Sequence, residues 1–245
     1  MTLIFAHRGY SANFPENTML AFTEGAKAGA EGLELDVQMT KDGEVVVIHD
    51  EKVDRTTDGK GFVKDFSASD IRNLDAGVLH KSLGRKERIP FLKEVFEWLS
   101  GNSLICNVEL KTGVFRYKGI EEKVIGLIRQ YGLQDRIILS SFNHYSIVHA
   151  VSIAPEIETA PILAEGLYMP WIYASSIKAG GFHPHYRAAH EEIIRQSLQH
   201  NIAVRPYTVN KESEMKRLIH AGCTAIITDQ PKKAAELREA IYKRP

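Results

Sequence analysis

The sequence predicts a single α/β domain with the fold of a TIM barrel, in which parallel strands alternate with helices around a closed sheet. Short apolar runs of strand-like composition alternate with segments of helical pattern, which is typical of right-handed βαβ units. There are eight such runs, and the chain length of 245 residues is close to that of one (β/α)₈ barrel. We therefore expect residues 1–245 to form one domain.

The strands and helices are predicted from hydrophobic periodicity and from the turn residues between the runs. The predicted strands are 3–6, 32–38, 104–110, 137–141, 159–163, 177–182, 203–209 and 225–228. The predicted helices are 18–30, 92–99, 119–131, 144–154, 188–200, 211–221 and 232–242. A doubly wound open sheet is the competing fold, but the glycine-rich fingerprint G-x-G-x-x-G is absent after the first strand.

One stretch interrupts this alternation. A short extra strand is expected at 44–48, and the following residues, about 50–88, contain no long apolar run. Ser67 is expected to cap a short helix there, and 81–88 is basic. We predict a small helical insertion after the second strand, at the functional end of the barrel. The aromatic segment 167–173 is expected to form a helix on the outside of the barrel, with the substrate mouth or a subunit contact as alternatives.

The overall charge gives no sign of a polyanionic partner. Lysine plus arginine balances aspartate plus glutamate at 31 each, so nucleic acid and anionic membranes are not attracted by net charge. Cys106 and Cys223 lie in apolar strand-like segments and are expected to be buried free thiols in a reducing compartment. No signal peptide or apolar run of membrane-spanning length is recognised. We predict a cytoplasmic protein without stable membrane insertion.

Chemically reactive side chains recur where the predicted strands end. Because the carboxyl ends of barrel strands meet at one mouth, we expect these residues to form one pocket. They are His7, Arg8, Glu34, Asp36, His49, Asp50, Glu109, Lys111, His183, Tyr207, Thr228 and Asp229.

The three acids among these residues suggest a cation site. Glu34 and Asp36 are two residues apart, so their side chains project from the same face of a strand. With Glu109 they would repel one another unless a cation or a proton lies between them. Ligands that are all oxygen favour Mg²⁺ or Ca²⁺ over Zn²⁺. The alternative is a buried ion-pair network in which Arg8 and Lys111 neutralise the acids.

His7 and His49 each end a strand and precede a charged residue. Two imidazoles that flank a bound anion can act as general base and general acid, whereas a single histidine is more often a satisfied core residue. Arg8 offers a planar fork that suits a phosphate, and Lys111 adds a point charge.

These residues belong to a set of short motifs that occur in order along the chain. They are His-Arg-Gly at 7–9, Pro-Glu-Asn-Thr at 15–18, Glu-Leu-Asp-Val at 34–37, Thr-Lys-Asp-Gly at 40–43, Val-Val-Ile-His-Asp at 46–50, Asp-Arg-Thr-Thr at 54–57, Glu-Leu-Lys at 109–111, Ser-Ser-Phe at 140–142, Thr-Val-Asn at 208–210 and Thr-Asp-Gln-Pro at 228–231. With this set, the sequence resembles the glycerophosphodiester phosphodiesterase family over essentially the whole chain. That family is related in fold to phosphatidylinositol-specific phospholipases C.

The resemblance implies how the site works. It implies a divalent ion, Mg²⁺ or Ca²⁺, on the three acids, the phosphate on Arg8 and Lys111, and His7 with His49 as the acid–base pair. Which imidazole is the acid stays open, with His49 favoured. The substrate would be a small glycerophosphodiester, hydrolysed to glycerol 3-phosphate and an alcohol.

The contacts around the substrate are less defined by the resemblance. Tyr207 stands where the family usually has tryptophan, and His183 is a candidate for the glycerol site. Asn17 is expected to cap the first helix. A lyase that forms a cyclic phosphate and a phosphodiester-binding barrel without turnover remain as alternative functions, and the chain is either a monomer or a homo-oligomer.

Overall fold

The structure is a computed structural model that describes residues 1–80, 84 and 86–243. Nine strands lie in this part of the chain. They are β1 (Leu3–His7), β2 (Gly32–Met39), β3 (Val45–Val47), β4 (Ile105–Leu110), β5 (Ile137–Ser141), β6 (Glu158–Leu163), β7 (Gly181–Pro184), β8 (Ala203–Val204) and β9 (Ala225–Thr228). The α-helices are α1 (Met19–Lys27), α2 (Ala68–Arg72), α3 (Leu92–Ser100), α4 (Ile120–Gln130), α5 (His144–Ile153), α6 (Pro170–Ser176), α7 (Glu191–Gln199), α8 (Glu212–His220) and α9 (Pro231–Tyr242).

All strands except β3 form one parallel sheet that closes on itself. Ladders follow the order β8-β7-β6-β5-β4-β2-β1-β9, and β3 pairs antiparallel with β2. Backbone hydrogen bonds join the two ends of this order: the amide of Thr224 donates to the carbonyl of Val204 over 3.0 Å, and that of Ile227 donates to Pro206 over 2.9 Å. The predicted TIM barrel is therefore confirmed.

Two predicted strands differ from the observed ones. The strand expected at 177–182 is instead β7, Gly181–Pro184, because the aromatic segment before it forms α6 and Ile177 ends that helix. The strand expected at 203–209 ends at Val204. Pro206 has no amide hydrogen to continue the ladder, although Tyr207 still donates to the carbonyl of Pro184 over 3.0 Å.

The pleat of each strand separates the site from the core, because alternate residues face the barrel interior and the surrounding helices. In β1, Ile4 and Ala6 pack outward into two large apolar clusters under the helices. Phe5 packs inward against Ile138 and Ile227 and fills the middle of the barrel. The next inward residue of β1 is His7, at the carboxyl end of the strand. The same alternation places the acids of β2 and β4 above an apolar floor.

The segment between β3 and α3 packs as a small separate layer. It contains a 3₁₀ turn at Val63–Asp65 and the short helix α2, whose first turn is capped by the Ser67 side chain, as predicted. Its apolar side chains form one cluster with Val46 of β3: Ile48, Val53, Val63, Ile71, Ala76 and Ile89. This is the region predicted as an insertion. Part of the basic stretch at 81–88 lies outside the described residues.

The cap of α1 differs from the prediction. Thr18, and not Asn17, caps the helix, and its hydroxyl accepts from the amide of Ala21 over 3.2 Å. Asn17 has a positive φ of 56°, and its side chain turns towards β2 instead. Cys106 and Cys223 are buried free thiols, as expected. Within the described ranges, we find no helix with the length and apolar character needed to cross a membrane.

Replacing Leu35 by alanine tests the packing of helices on the barrel. Leu35 is fully buried on the outward face of β2, so Leu35→Ala should lower the free energy of unfolding by about 2–5 kcal/mol. Leu79→Ala is the matched control, because Leu79 is exposed and its truncation should change stability by less than about 0.5 kcal/mol. Urea denaturation of both variants measures the difference, and equal effects would contradict this description of the core.

Candidate active site

The register of the parallel strands brings the predicted site residues together. His7 of β1 pairs with Glu34 of β2, and Asp36 of β2 pairs with Glu109 of β4. The amide of Ile48 donates to the carbonyl of Asp36 over 3.0 Å, which places the following histidine at the same mouth. Residues far apart in sequence thus share one end of the barrel.

Glu34, Asp36 and Glu109 form a compact group that we call the carboxylate cluster. One oxygen from each side chain lies within 4.8 Å of the others. The residues are 3%, 1% and 9% exposed, so water does little to screen their mutual repulsion. The arrangement fits a hard divalent cation, which takes its ligands from carboxylate oxygens.

Burial and mutual repulsion shift the protonation of this cluster. Burial and the neighbouring carboxylates raise the pKa of Glu34 well above its ordinary value. Burial and the charge of Asp36 raise the pKa of Glu109 to about 7, although Lys111 opposes the shift. Burial alone would raise the pKa of Asp36 as well, but the surrounding positive groups outweigh it and the pKa is lowered. Burial and repulsion thus favour the protonated forms of Glu34 and Glu109, whereas the positive groups favour the ionised form of Asp36.

Arg8 and Lys111 compensate the cluster in part. Lys111 Nζ is 2.9 Å from Glu109 Oε1 and 4.0 Å from Asp36 Oδ1. Arg8 Nε lies 3.3 Å from Asp36 Oδ2. Asp36 Oδ1 is nevertheless buried without a hydrogen-bond partner among the described residues. The ion-pair network considered as an alternative thus exists, but it leaves this buried oxygen without a partner. Asp36 Oδ1 is therefore available as a ligand for a cation.

The backbone around Arg8 is held in an uncommon conformation. Arg8 has a φ of 52°, in the left-handed region that non-glycine residues rarely adopt. Its amide donates to Glu34 Oε2 over 2.9 Å, and its carbonyl accepts from the amide of Asn17 over 3.0 Å. Asn17 also donates from Nδ2 to Asp36 Oδ2 over 2.9 Å. These contacts fix the guanidinium beside the cluster. Backbone strain of this kind is commonly found at functional sites.

His7 is oriented by an aspartate at the end of β9. His7 Nδ1 lies 2.5 Å from Asp229 Oδ1, which also accepts from the Ser11 hydroxyl over 3.0 Å. Asn210 donates to the other oxygen of Asp229. Burial would raise the pKa of Asp229, but these hydrogen bonds lower it. The ring therefore presents Nε2 to the cluster, 3.8 Å from Glu34 Oε2.

His49, which follows β3, is held in a similar way. Its Nδ1 lies 2.7 Å from Asp50 Oδ1, and its Nε2 lies 3.1 Å from Lys111 Nζ. Burial, together with the charges of Arg8 and Lys111, lowers the pKa of His49. Gln38 Nε2 donates to the His49 carbonyl over 3.0 Å and so fixes the backbone at this point.

His183 and Tyr207 lie on the wall of a small cavity beneath the mouth. The cavity measures about 20 Å³, and its wall also includes His7, Glu34 and Glu109. His183 is 1% exposed, and neither ring nitrogen has a hydrogen-bond partner in the described part of the chain. Burial and nearby Arg205 hold its pKa well below the ordinary value. Burial and nearby acids raise the pKa of Tyr207. The structure thus places both predicted substrate residues beside the cluster.

Several site residues had no role assigned to them from the sequence. The supporting partners are Asp229, Asp50, Asn210, Gln38 and Glu16, together with Asn17, which was expected to be a helix cap. Asp229 ends a strand and so carried the same positional signal as His7, without a role assigned to it. Asp50 was likewise expected at the mouth without a role. Glu16, Asn17 and Asn210 lie in loops and Gln38 lies on β2, and residue type alone gave no signal for these four residues.

Comparison with known proteins identifies the family. The chain matches the "Glycerophosphoryl diester phosphodiesterase family" over residues 7–233. It is 45% identical to a glycerophosphodiester phosphodiesterase from Caldanaerobacter subterraneus subsp. tengcongensis over 96% of this chain and 97% of that protein. It is 41% identical to a protein of the same name from Bacillus altitudinis, over 98% and 99% of the two chains.

Solved structures show the same similarity in three dimensions. A glycerophosphodiester phosphodiesterase from Agrobacterium tumefaciens has a TM-score of 0.85 and 29% identity, covering 96% of this chain and 100% of that one. A phosphodiesterase from Oleispira antarctica in complex with the product sn-glycerol-3-phosphate has a TM-score of 0.88 and 28% identity, covering 97% and 96%. The resemblance predicted from the sequence motifs is therefore confirmed, and the chain belongs to the glycerophosphoryl diester phosphodiesterase family.

Proposed function

We propose that this protein hydrolyses small glycerophosphodiesters to glycerol 3-phosphate and an alcohol. One observation carries the proposal: two imidazoles and two cationic side chains surround a buried carboxylate cluster at the mouth of the barrel. Anion binding, proton transfer and charge stabilisation by a cation each contribute to cleaving a phosphodiester. The relative from Oleispira antarctica, with sn-glycerol-3-phosphate bound, supports this substrate class.

The carboxylate cluster would hold one divalent cation, Mg²⁺ or Ca²⁺. Glu34, Asp36 and Glu109 offer only oxygen ligands, and the unpaired Asp36 Oδ1 would gain a partner. A bound cation would withdraw charge from a phosphoryl oxygen and so stabilise the transition state. Arg8 and Lys111 would bind the remaining phosphoryl oxygens, since both lie beside the cluster.

The two imidazoles would transfer the protons. A water oxygen attacks phosphorus and loses a proton to one imidazole, while the bond from phosphorus to the alcohol oxygen breaks and that oxygen takes a proton from the other. The contacts favour His49 as the base: its pKa is lowered, and Nε2 faces the Lys111 ammonium as a hydrogen-bond acceptor. His7, with Asp229 on Nδ1, is then the acid. This reverses the assignment favoured from the resemblance.

Turnover of glycerophosphocholine tests the function directly. We expect hydrolysis with Mg²⁺ or Ca²⁺ and loss of activity in excess chelator, because the carboxylate cluster would then lack its cation. Phosphorus NMR of early products should show a linear phosphate monoester. A persistent cyclic phosphate would instead establish the lyase, and binding without cleavage over hours would establish a non-catalytic barrel.

Substitution of each histidine tests its proposed role. His7→Ala and His49→Ala should each lower kcat about 10²- to 10⁴-fold with glycerophosphocholine, the range expected for a general acid or base. With a nitrophenyl glycerophosphodiester, whose leaving group departs without a proton, His7→Ala should lose much less activity while His49→Ala keeps its full loss. The reverse pattern would exchange the two roles, and wild-type rates in both variants would remove them.

The stability of the metal-free protein should depend on pH through the carboxylate cluster. The pKa of Glu109 is raised from 4.5 to about 7, so the folded state binds more protons than the unfolded state between these values. Stability should therefore fall as pH rises through this range, by up to about 3 kcal/mol. Mg²⁺ or Ca²⁺ should restore it most strongly above pH 7.

Thermal unfolding of chelator-treated protein measures this effect. Glu109→Gln cannot ionise, so this variant should show a shallower fall of Tm with pH and a smaller rise of Tm when the cation is added. A cation response equal to that of the wild type would contradict the assignment of Glu109 as a ligand.

A further inference from the structure

Arg55 bridges two carboxylates, those of Glu16 and Asp50, at the mouth of the barrel. Its Nη1 and Nη2 donate to Glu16 Oε2 and Oε1 over 2.7 and 2.8 Å. Its Nε and Nη2 donate to Asp50 Oδ2 and Oδ1 over 2.7 and 3.0 Å. The guanidinium therefore makes two bidentate contacts at once, which fixes its position and those of both carboxylates.

Each of these carboxylates in turn contacts a residue of the site. Glu16 Oε1 accepts from Arg8 Nη1 over 2.9 Å, and Asp50 Oδ1 lies 2.7 Å from His49 Nδ1. A continuous chain of hydrogen bonds thus runs from Arg8 through Glu16, Arg55 and Asp50 to His49. No other charged residue in the described part of the chain contacts both Glu16 and Asp50.

The charges along this chain balance only when Arg55 is present. The hydrogen bond from Arg55 lowers the pKa of Asp50 to about 2, and the pKa of Glu16 is lowered because its arginine contacts outweigh its burial. Both are therefore negative at neutral pH, against the positive Arg8 and Arg55. Without Arg55, an uncompensated negative charge would lie beside Arg8, where it would oppose the binding of an anionic phosphate.

The backbone holds Arg55 firmly although its side chain is 43% exposed. On one side, Val53 is fully buried, and its amide donates to the carbonyl of Gly61 over 3.0 Å. On the other side, the amide and the hydroxyl of Thr57 both donate to the carbonyl of Val53, over 3.1 and 2.8 Å. These contacts anchor the segment after β3 at the mouth.

We propose that Arg55 is a positioning residue for the reaction, which orients His49 through Asp50 and keeps Arg8 available for phosphate through Glu16. The inference rests on the proposed function, since it assigns Arg55 to the same site. It also gives the segment after β3 a specific task, because this segment supplies the group that couples the base to the anion-binding arginine.

Steady-state kinetics of Arg55→Ala tests the proposal. We expect kcat/KM for glycerophosphocholine to fall roughly 10- to 100-fold, the usual effect of removing a partner that orients a site residue. Both components should change: KM rises through the Glu16 branch, and kcat falls through the Asp50 branch. Arg55→Lys should lose less, since one ammonium can keep one of the two contacts, and millimolar guanidinium should restore part of the activity of Arg55→Ala.

Arg129→Ala is the matched control. Arg129 is 48% exposed and pairs with Glu156 through Nε and Nη2, so it resembles Arg55 in exposure and in geometry. It lies near the end of α4, at the opposite end of the barrel from the mouth. The two variants should have similar Tm values, while only Arg55→Ala loses activity. Equal kinetics in both variants would overturn the proposal.

A double-mutant cycle separates positioning from a general structural effect. If Arg55 acts on kcat through Asp50, adding Arg55→Ala to Asp50→Ala should lower kcat by less than twofold further. Fully additive losses would overturn the proposed route. Calorimetry measures the binding of glycerol 3-phosphate, which should be weakened in Arg55→Ala and unchanged in Arg129→Ala. This result would support the contact through Glu16 even if the wild type fails to turn over glycerophosphocholine. Equal affinities in the two variants would refute that contact's role.

Discussion

Three carboxylates buried within 4.8 Å of one another place a strict electrostatic constraint on this barrel. In a medium that screens charge poorly, they cannot all be ionised without compensation nearby. Arg8 and Lys111 supply part of it. Burial and mutual repulsion also raise the pKa values of Glu34 and Glu109, which favours their neutral forms. The surrounding polar contacts can be understood as a response to this excess of negative charge.

The barrel architecture makes such a concentration of charge possible. Alternation along the strands places apolar residues such as Phe5 inside the middle of the barrel and polar residues at its carboxyl end. The cluster is therefore supported by an apolar floor, and its three carboxylates come from neighbouring strands whose register is fixed by backbone hydrogen bonds. Stability and reactivity are divided between the two halves of the same strands.

A second layer of carboxylates orients the two imidazoles that we propose as proton-transfer groups. Asp229 holds His7 and Asp50 holds His49, each through Nδ1, so that both rings direct Nε2 into the mouth. Each acid is itself fixed by further donors, Asn210 and Ser11 on one side and Arg55 on the other. The arrangement consists of two carboxylate–imidazole pairs beside the proposed anion site. His7 is placed by the end of β1, whereas His49, Asp50 and Asp229 lie in the segments that follow β3 and β9.

The sequence predicts the first layer of this site well and the second layer poorly. Glu34, Asp36 and Glu109 are recognisable because strand ends and a two-residue spacing fix where their side chains point. The contact of His7 with Asp229 spans 222 positions and depends on how the last strand closes the barrel. Asn17 is a residue type that often caps helices. Its backbone has a positive φ, and its side chain points towards Asp36 instead. β8 is short because Pro206 has no amide hydrogen to continue the ladder. The pattern of apolar residues alone does not show where the strand ends.

Anomalous diffraction from crystals soaked in Mn²⁺ would test the central claim most directly, because it locates the ion without relying on activity. We expect one strong peak per chain between the three acids, with carboxylate oxygens at about 2.0–2.6 Å. A peak elsewhere, with the acids bonded only to Arg8, Lys111 and one another, would show that the cluster is an ion-pair network and would contradict this account.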